Sequence, residues 1–162
     1  MHGTSSSLPI VMAAIRAFLF SSYGALTLLV VLVFAQVLTF DFVGLDDGLL
    51  VYNNPIVTKG QVGAAFTTYD PELYIPLTFI SYQIEHMLFG SSPMVFHFSN
   101  LLLHLANVLL AFWCCTLLLR NRFAALIAAA LFAVHPLQVE AVAWIAARKD
   151  LLSAFFVLAG TR

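Results

Sequence analysis

Adjacent carboxylates are the first feature in this sequence with chemical potential. Asp46 and Asp47 stand side by side and precede Gly48. Such a pair forms a compact negative site: one carboxylate can act as general base on a hydroxyl or amide, or both can grip a divalent cation. Asp-Asp-Gly is also ordinary turn chemistry, and the spacing alone favours the turn. A second group is the run Arg148-Lys149-Asp150. Three consecutive charges inside an apolar helix are costly, and two cations with one anion leave a surplus positive charge suited to a phosphate. An internal ion pair of Asp150 with Arg148 or Lys149 accounts for the run equally well. Glu140 stands about 12–15 Å along the same helix, where an ion pair with a neighbouring helix is its plain reading.

Two further sets of polar residues lie in apolar surroundings. His135 precedes Pro136, so it can cap a helix that starts there, donate to a phosphate or tune a carboxylate. His97, Asn100, His104 and Asn107 are spaced 3, 4 and 3 apart and share one helical face. Polar groups on such a face serve more often as hydrogen-bonding links between helices than as ligands. No Gly-rich phosphate loop, zinc spacing or nucleophile elbow is present. A required divalent metal is not expected, because Asp46-Asp47 lacks third and fourth ligands nearby unless Glu140 or His135 supplies them.

The elements that position these residues follow from composition. The chain has 162 residues, 62% hydrophobic and 9% charged. A soluble domain carries about 25% charged residues, so the chain reads as an integral membrane protein. A net charge of −1 excludes the basic footprint of a nucleic-acid binder. Cys114 and Cys115 are adjacent in an apolar run and give no disulfide framework.

The expected fold is all-α, a multi-pass transmembrane helical bundle of about four spans. A cytoplasmic tail over 1–16 leads into spans at about 17–40, 94–119, 122–136 and 139–160. The one polar region, at about 41–74, with a short helix near 61–67, begins an external loop over about 41–93. It ends in an interfacial or re-entrant helix from Pro76 to about Phe89, with Glu85 and His86 near its end, closed by Gly90-Ser91-Ser92-Pro93. A rival reading bends one helix through Pro136 from Phe123 to Ala146 and leaves Leu151–Gly160 too short to cross. Arg16, Arg120, Arg122 and Arg162 fall on one side and the acidic loop on the other. The positive-inside rule then puts the termini in the cytoplasm.

Several of these residues also form a pattern. Asp41-Phe42-Val43-Gly44-Leu45-Asp46-Asp47, then Tyr52-Asn53-Asn54-Pro55, Pro76-Leu77-Thr78 with Ser81-Tyr82, and Leu88-Phe89-Gly90 occur in order. His97-Phe98-Ser99-Asn100-Leu101-Leu102-Leu103-His104 follows. The most specific stretch is His135-Pro136-Leu137-Gln138-Val139-Glu140-Ala141-Val142-Ala143-Trp144 with Arg148-Lys149-Asp150-Leu151-Leu152. Together they resemble the transmembrane, tetratricopeptide-repeat-containing O-mannosyltransferase-like proteins, a branch of the GT-C glycosyltransferases, over about 40–160.

The resemblance implies an enzyme that takes a mannose-like sugar from a polyprenyl- or dolichyl-phosphate carrier. It passes the sugar, with inversion, to a protein hydroxyl on the external or lumenal face. The membrane would be a bacterial cytoplasmic membrane or the endoplasmic reticulum. Asp46 or Asp47 would be the base, Arg148 and Lys149 would hold the lipid phosphate, and His135 and Glu140 would shape the cavity mouth. No cofactor is implied beyond the lipid-linked donor. Two departures stand out: Ile75 sits where many relatives carry a basic or aromatic residue, and the sequence holds no tetratricopeptide repeats. The chain therefore corresponds to the N-terminal portion of such a protein, and by itself would lack part of the lipid groove and be inactive. The alternative is a non-catalytic membrane scaffold or transporter module.

Overall fold

The computed structural model describes residues 17, 21–44, 46–69 and 73–161. The expected tail over 1–16, which includes Arg16, lies outside them, as do Asp70, Glu72 and Arg162. The described residues are helical, with no strand. Helix α1 (Ser22–Phe34) starts where Ser21 Oγ accepts the Gly24 N–H at 3.0 Å. It tightens into a 3-10 turn over Ala35–Thr39. Short helices α2 (Pro55–Thr58) and α3 (Val62–Thr67) and a wide turn over Gly48–Tyr52 follow. Helix α4 (Pro76–Phe89) opens on a proline and stops at Gly90, whose φ of +68° suits a residue without Cβ. Helix α5 (Pro93–Leu119) has 27 residues, about 40 Å of rise, and forms the central post.

Helix α6 (Arg122–Val134) returns antiparallel to α5. Its first turn is capped by Asn121 Oδ1, which accepts the N–H groups of Phe123 and Ala124. Ala125, Ala129 and Ala133 are all fully buried; this small-residue stripe lets the two backbones approach closely. Leu26, Val30 and Phe34 of α1, Val108 and Phe112 of α5 and the alanine stripe form one apolar core. A second core gathers Leu50, Val51, Ile56, Val57, Phe79, Tyr82, Phe96, Ile145 and Ala146. The segment expected as an external loop is thus a folded cap with its own interior, seated on the first turns of α5.

The chain beyond Val134 differs from the expectation. In place of one helix over 139–160 there are α7 (Pro136–Ala143), a 3-10 turn over Ile145–Ala147, and α8 (Arg148–Gly160). Helices α6 and α7 meet at Pro136 with a bend of 55°, as in the rival reading of one bent helix. Among the described residues, two helical stretches are long and apolar enough to cross a membrane, Ser22–Thr39 and Pro93–Leu119, with a third if the bent pair counts as one span. Helix α8 has 13 residues, about 20 Å, short of the roughly 30 Å of hydrocarbon. It runs parallel to α5: Asn107 Nδ2 donates to Leu151 O, and Cys114 Sγ contacts Leu158 O.

Candidate functional site at a broken helix

A helix broken inside a bundle frees backbone groups that must find partners, since an unpaired one costs about 1–3 kcal/mol. Trp144 is extended (φ −102°, ψ 117°) and ends α7. The Ala147 and Arg148 N–H groups bond Trp144 O and Ile145 O within the 3-10 turn, and three side chains from distant elements add further bonds to the break. Asn100 Nδ2 of α5 donates to Trp144 O at 3.2 Å. Tyr82 Oη of α4 donates to Ile145 O at 2.6 Å. The Ala146 N–H donates to Asp47 Oδ1 at 2.9 Å. The break therefore draws the cap, α4 and α5 onto one four-residue segment.

The neighbouring aspartates are separated by this arrangement. Asp47 is fully buried, and its second oxygen accepts the Val43 N–H at 2.8 Å. Burial pushes its carboxyl above the ordinary carboxylate range, against the opposing pull of the two backbone donors. With both oxygens occupied, Asp47 is a fastener between the cap and the helix break. Asp46 is exposed. Asp47→Ala should strand the buried Ala146 N–H, release the part-buried Val43 N–H and lower stability by about 1–3 kcal/mol. Thermal unfolding of the detergent-purified protein reads this directly, and an unchanged midpoint would contradict the fastening role.

Arg148 opens α8 immediately after the break, with its side chain fully enclosed. Its Nη1 meets Glu85 Oε1 at 2.6 Å and Ser81 Oγ at 3.0 Å. Nε reaches Asn100 Oδ1 at 2.7 Å, and Nη2 reaches Phe96 O at 2.9 Å. The guanidinium also lies 4.6 Å from the Tyr82 ring centroid. Its ion-pair partner is Glu85, whereas Asp150, one of the carboxylates expected to serve, is exposed. The physical reason is helix geometry: Arg148 points inward between α4 and α5, and a residue two positions on points elsewhere.

Lys149 is half-buried, and its Nζ reaches back to Ala146 O at 3.4 Å. The same residue, Ala146, thus holds Asp47 on its N–H and Lys149 on its carbonyl. Lys149 borders a groove of about 260 Å³ between the start of α4 and the face of α8, with Tyr74, Pro76, Thr78, Ser153 and Phe156. A larger apolar groove of about 600 Å³ runs between α4 and α5 past Ile84, Glu85, Leu88, Phe98 and Leu102.

His135 and Glu140 are not drawn in. His135 is exposed and caps α7, with Nδ1 accepting the Leu137 N–H. Glu140 is exposed and faces a separate groove of about 330 Å³ together with Asp150. The stripe on α5 acts as interhelical linkage: beside Asn100 and Asn107, a ring nitrogen of His104 bonds Ala133 O at 3.0 Å. His97, also buried, instead packs edge-on against Phe40. Among the described residues no three His, Cys, Asp or Glu side chains converge as a metal-ligand set.

Sequence comparison bears on what this arrangement belongs to. Human protein O-mannosyl-transferase TMTC3 is 37% identical over 86 residues, covering 53% of this chain. Mouse protein O-mannosyl-transferase TMTC1 is 34% identical over 127 residues, covering 70%. The chain resembles the TMTC protein O-mannosyl-transferases. Drosophila protein O-mannosyl-transferase Tmtc1 adds 34% identity over 102 residues, 63% of the chain. The matches span 9%, 13% and 11% of these TMTC relatives' own length. The three are animal proteins and lend no support to a bacterial membrane. No family model matches the chain, and no solved structure matches it.

Sequence reasoning gave no site role to Glu85, Ser81 or Tyr82, which the structure gathers around Arg148. The signal was available for Glu85: a lone carboxylate in a short apolar helix needs a cation, and the Arg148-Lys149-Asp150 run has one to spare.

Proposed function

We propose that this chain is the N-terminal membrane part of a protein O-mannosyl-transferase. It moves a mannose-like sugar from a dolichyl- or polyprenyl-phosphate carrier to a protein hydroxyl at the lumenal or external face, in the endoplasmic reticulum membrane. The observation that carries the reading is the convergence at Ala146, which joins the segment of the acidic pair to the start of the basic run. The TMTC resemblance supports the choice of chemistry.

In this reading Asp46, exposed beside the anchored Asp47, takes the proton of the acceptor hydroxyl. The freed oxygen attacks the anomeric carbon from the face opposite the phosphate. The bond from that carbon to the phosphate oxygen breaks, and the lipid phosphate leaves with the bonding electrons. Lys149, at the rim of the α4–α8 groove, meets the charge that builds on the phosphate. Arg148 carries no free donor pair for a phosphate and serves instead to position α4, α5 and α8. His135 and Glu140 shape the approach at most from outside this cluster.

Incubating membranes containing the whole transferase of which this chain would be the N-terminal part with a dolichyl-phosphate-linked mannose and an acceptor peptide tests the reading. Transfer should yield a product whose anomeric configuration is opposite to the donor's. Retained configuration, or no transfer, would contradict it. Lys149→Gln should lower kcat/KM for the donor by about 10- to 100-fold, the worth of one charge-assisted hydrogen bond. Lys149→Arg should keep most of the rate. Equal rates for the wild type and Lys149→Gln would remove the phosphate role from this residue.

A further inference from the structure

At the opposite end of the bundle, Arg120 and Arg122 flank Asn121 in the turn between α5 and α6. They border a groove of about 320 Å³ with Tyr23, Phe112 and Thr116. From this geometry we infer a binding site for the headgroup of an anionic phospholipid, in the leaflet at that end of the bundle. The inference does not depend on the transferase reading.

Three observations carry it. First, neither arginine has an ion-pair partner among the described residues. Among the described residues the one salt bridge is Arg148–Glu85. The acid on the adjoining helix α8, Asp150, lies beside the Asn107 level of α5, about 20 Å up the bundle from Arg120. Second, Arg120 adopts φ +50°, the only positive φ at a non-glycine among the described residues. Glycine or asparagine is the usual occupant of that conformation, and another side chain there costs about 1 kcal/mol or more. Here the strained position holds a guanidinium at the groove. Third, exposed apolar side chains flank the two arginines along the chain. Leu117, Leu118 and Leu119 are 56%, 78% and 50% exposed, and Phe123 is 72% exposed. A dissolved phosphate would use only the arginines, whereas a phospholipid fills the charged groove with its headgroup and covers the leucines with its chains.

Arg122 also holds the start of α1, its Nε donating to Ser22 Oγ at 3.1 Å. The charged groove therefore sits at the boundary where α1 and α6 begin and α5 ends. A cytoplasmic leaflet carries the negative surface potential that such residues meet.

The test is native mass spectrometry of the full chain released from phosphatidylcholine vesicles, with and without phosphatidylserine. The wild type should retain phosphatidylserine over phosphatidylcholine. Each basic residue at an anionic surface is worth about a fivefold preference, so Arg120→Gln with Arg122→Gln should cut retention by about 30-fold. Arg120→Lys with Arg122→Lys should keep most of it. Ser22→Ala, which removes the bond to α1 and leaves both charges, should keep the wild-type preference. If the double glutamine variant fails to insert, the wild-type lipid comparison and the double lysine variant decide. Equal retention of both lipids by the wild type, loss of preference in the double lysine variant, or an unchanged preference in an inserted glutamine variant would overturn the site. Displacement of the lipid by equimolar inorganic phosphate would overturn it too, in favour of a soluble anion.

Discussion

Arg148→Met should destabilise the protein by about 3–5 kcal/mol, the usual cost of removing one partner from a buried ion pair. The guanidinium makes four hydrogen bonds to two helices, α4 and α5, from its place at the start of α8. Its loss leaves Glu85 without a counter-charge and Asn100 Oδ1 without its donor, and it removes the bond that the guanidinium adds to the Phe96 carbonyl. Arg148→Lys should recover only part of the stability, because one ammonium cannot reach acceptors that a planar fork reaches together. Adding Glu85→Leu to Arg148→Met should restore a substantial part, since it removes the stranded carboxylate. A double-mutant cycle read by detergent-titrated unfolding measures the coupling. Near-additive effects of the two substitutions would show that the pair is not the link between α4 and α8.

Asp46→Asn should reduce transfer by about 10²- to 10⁴-fold, the span that a positioned general base contributes. The amide matches the carboxylate in shape and cannot take a proton. The residue is exposed, so stability should change by no more than about 0.5 kcal/mol. The loss should therefore appear in kcat with the thermal midpoint unchanged. Loss of both together would mean that Asp46 acts through the fold. Full activity would assign the proton transfer to another group.

Most helix limits were legible because their punctuation is local. Pro76, Pro93 and Pro136 each open a helix, Gly90 closes one and Asn121 caps the start of another. The polar stripe on α5 was legible for the same reason: a 3-4-3 spacing reports one face without knowledge of what that face meets. The break at Trp144–Ala147 was not. Trp-Ile-Ala-Ala contains neither proline nor glycine, and local propensity would carry a helix through it. The bonds that hold the break are largely tertiary: Asn100, Tyr82 and Asp47 reach its backbone from 44, 63 and 99 residues away. The interior of the cap was masked similarly. Leu50, Val51, Ile56 and Val57 are scattered among turn residues, and only the folded chain gathers them. The same cause explains the aspartates. Adjacent in sequence, they were interchangeable until the Ala146 N–H selected one of them.

The central claim is this division of labour between Asp46 and Asp47, and the most direct measurement is transfer and thermal unfolding on one preparation of each single asparagine variant. Asp46→Asn should unfold like the wild type and transfer almost nothing. Asp47→Asn should unfold earlier, having lost one of its two acceptor contacts, and keep measurable transfer below its melting range. The reverse pattern, a stable but inactive Asp47→Asn beside an active Asp46→Asn, would contradict the account.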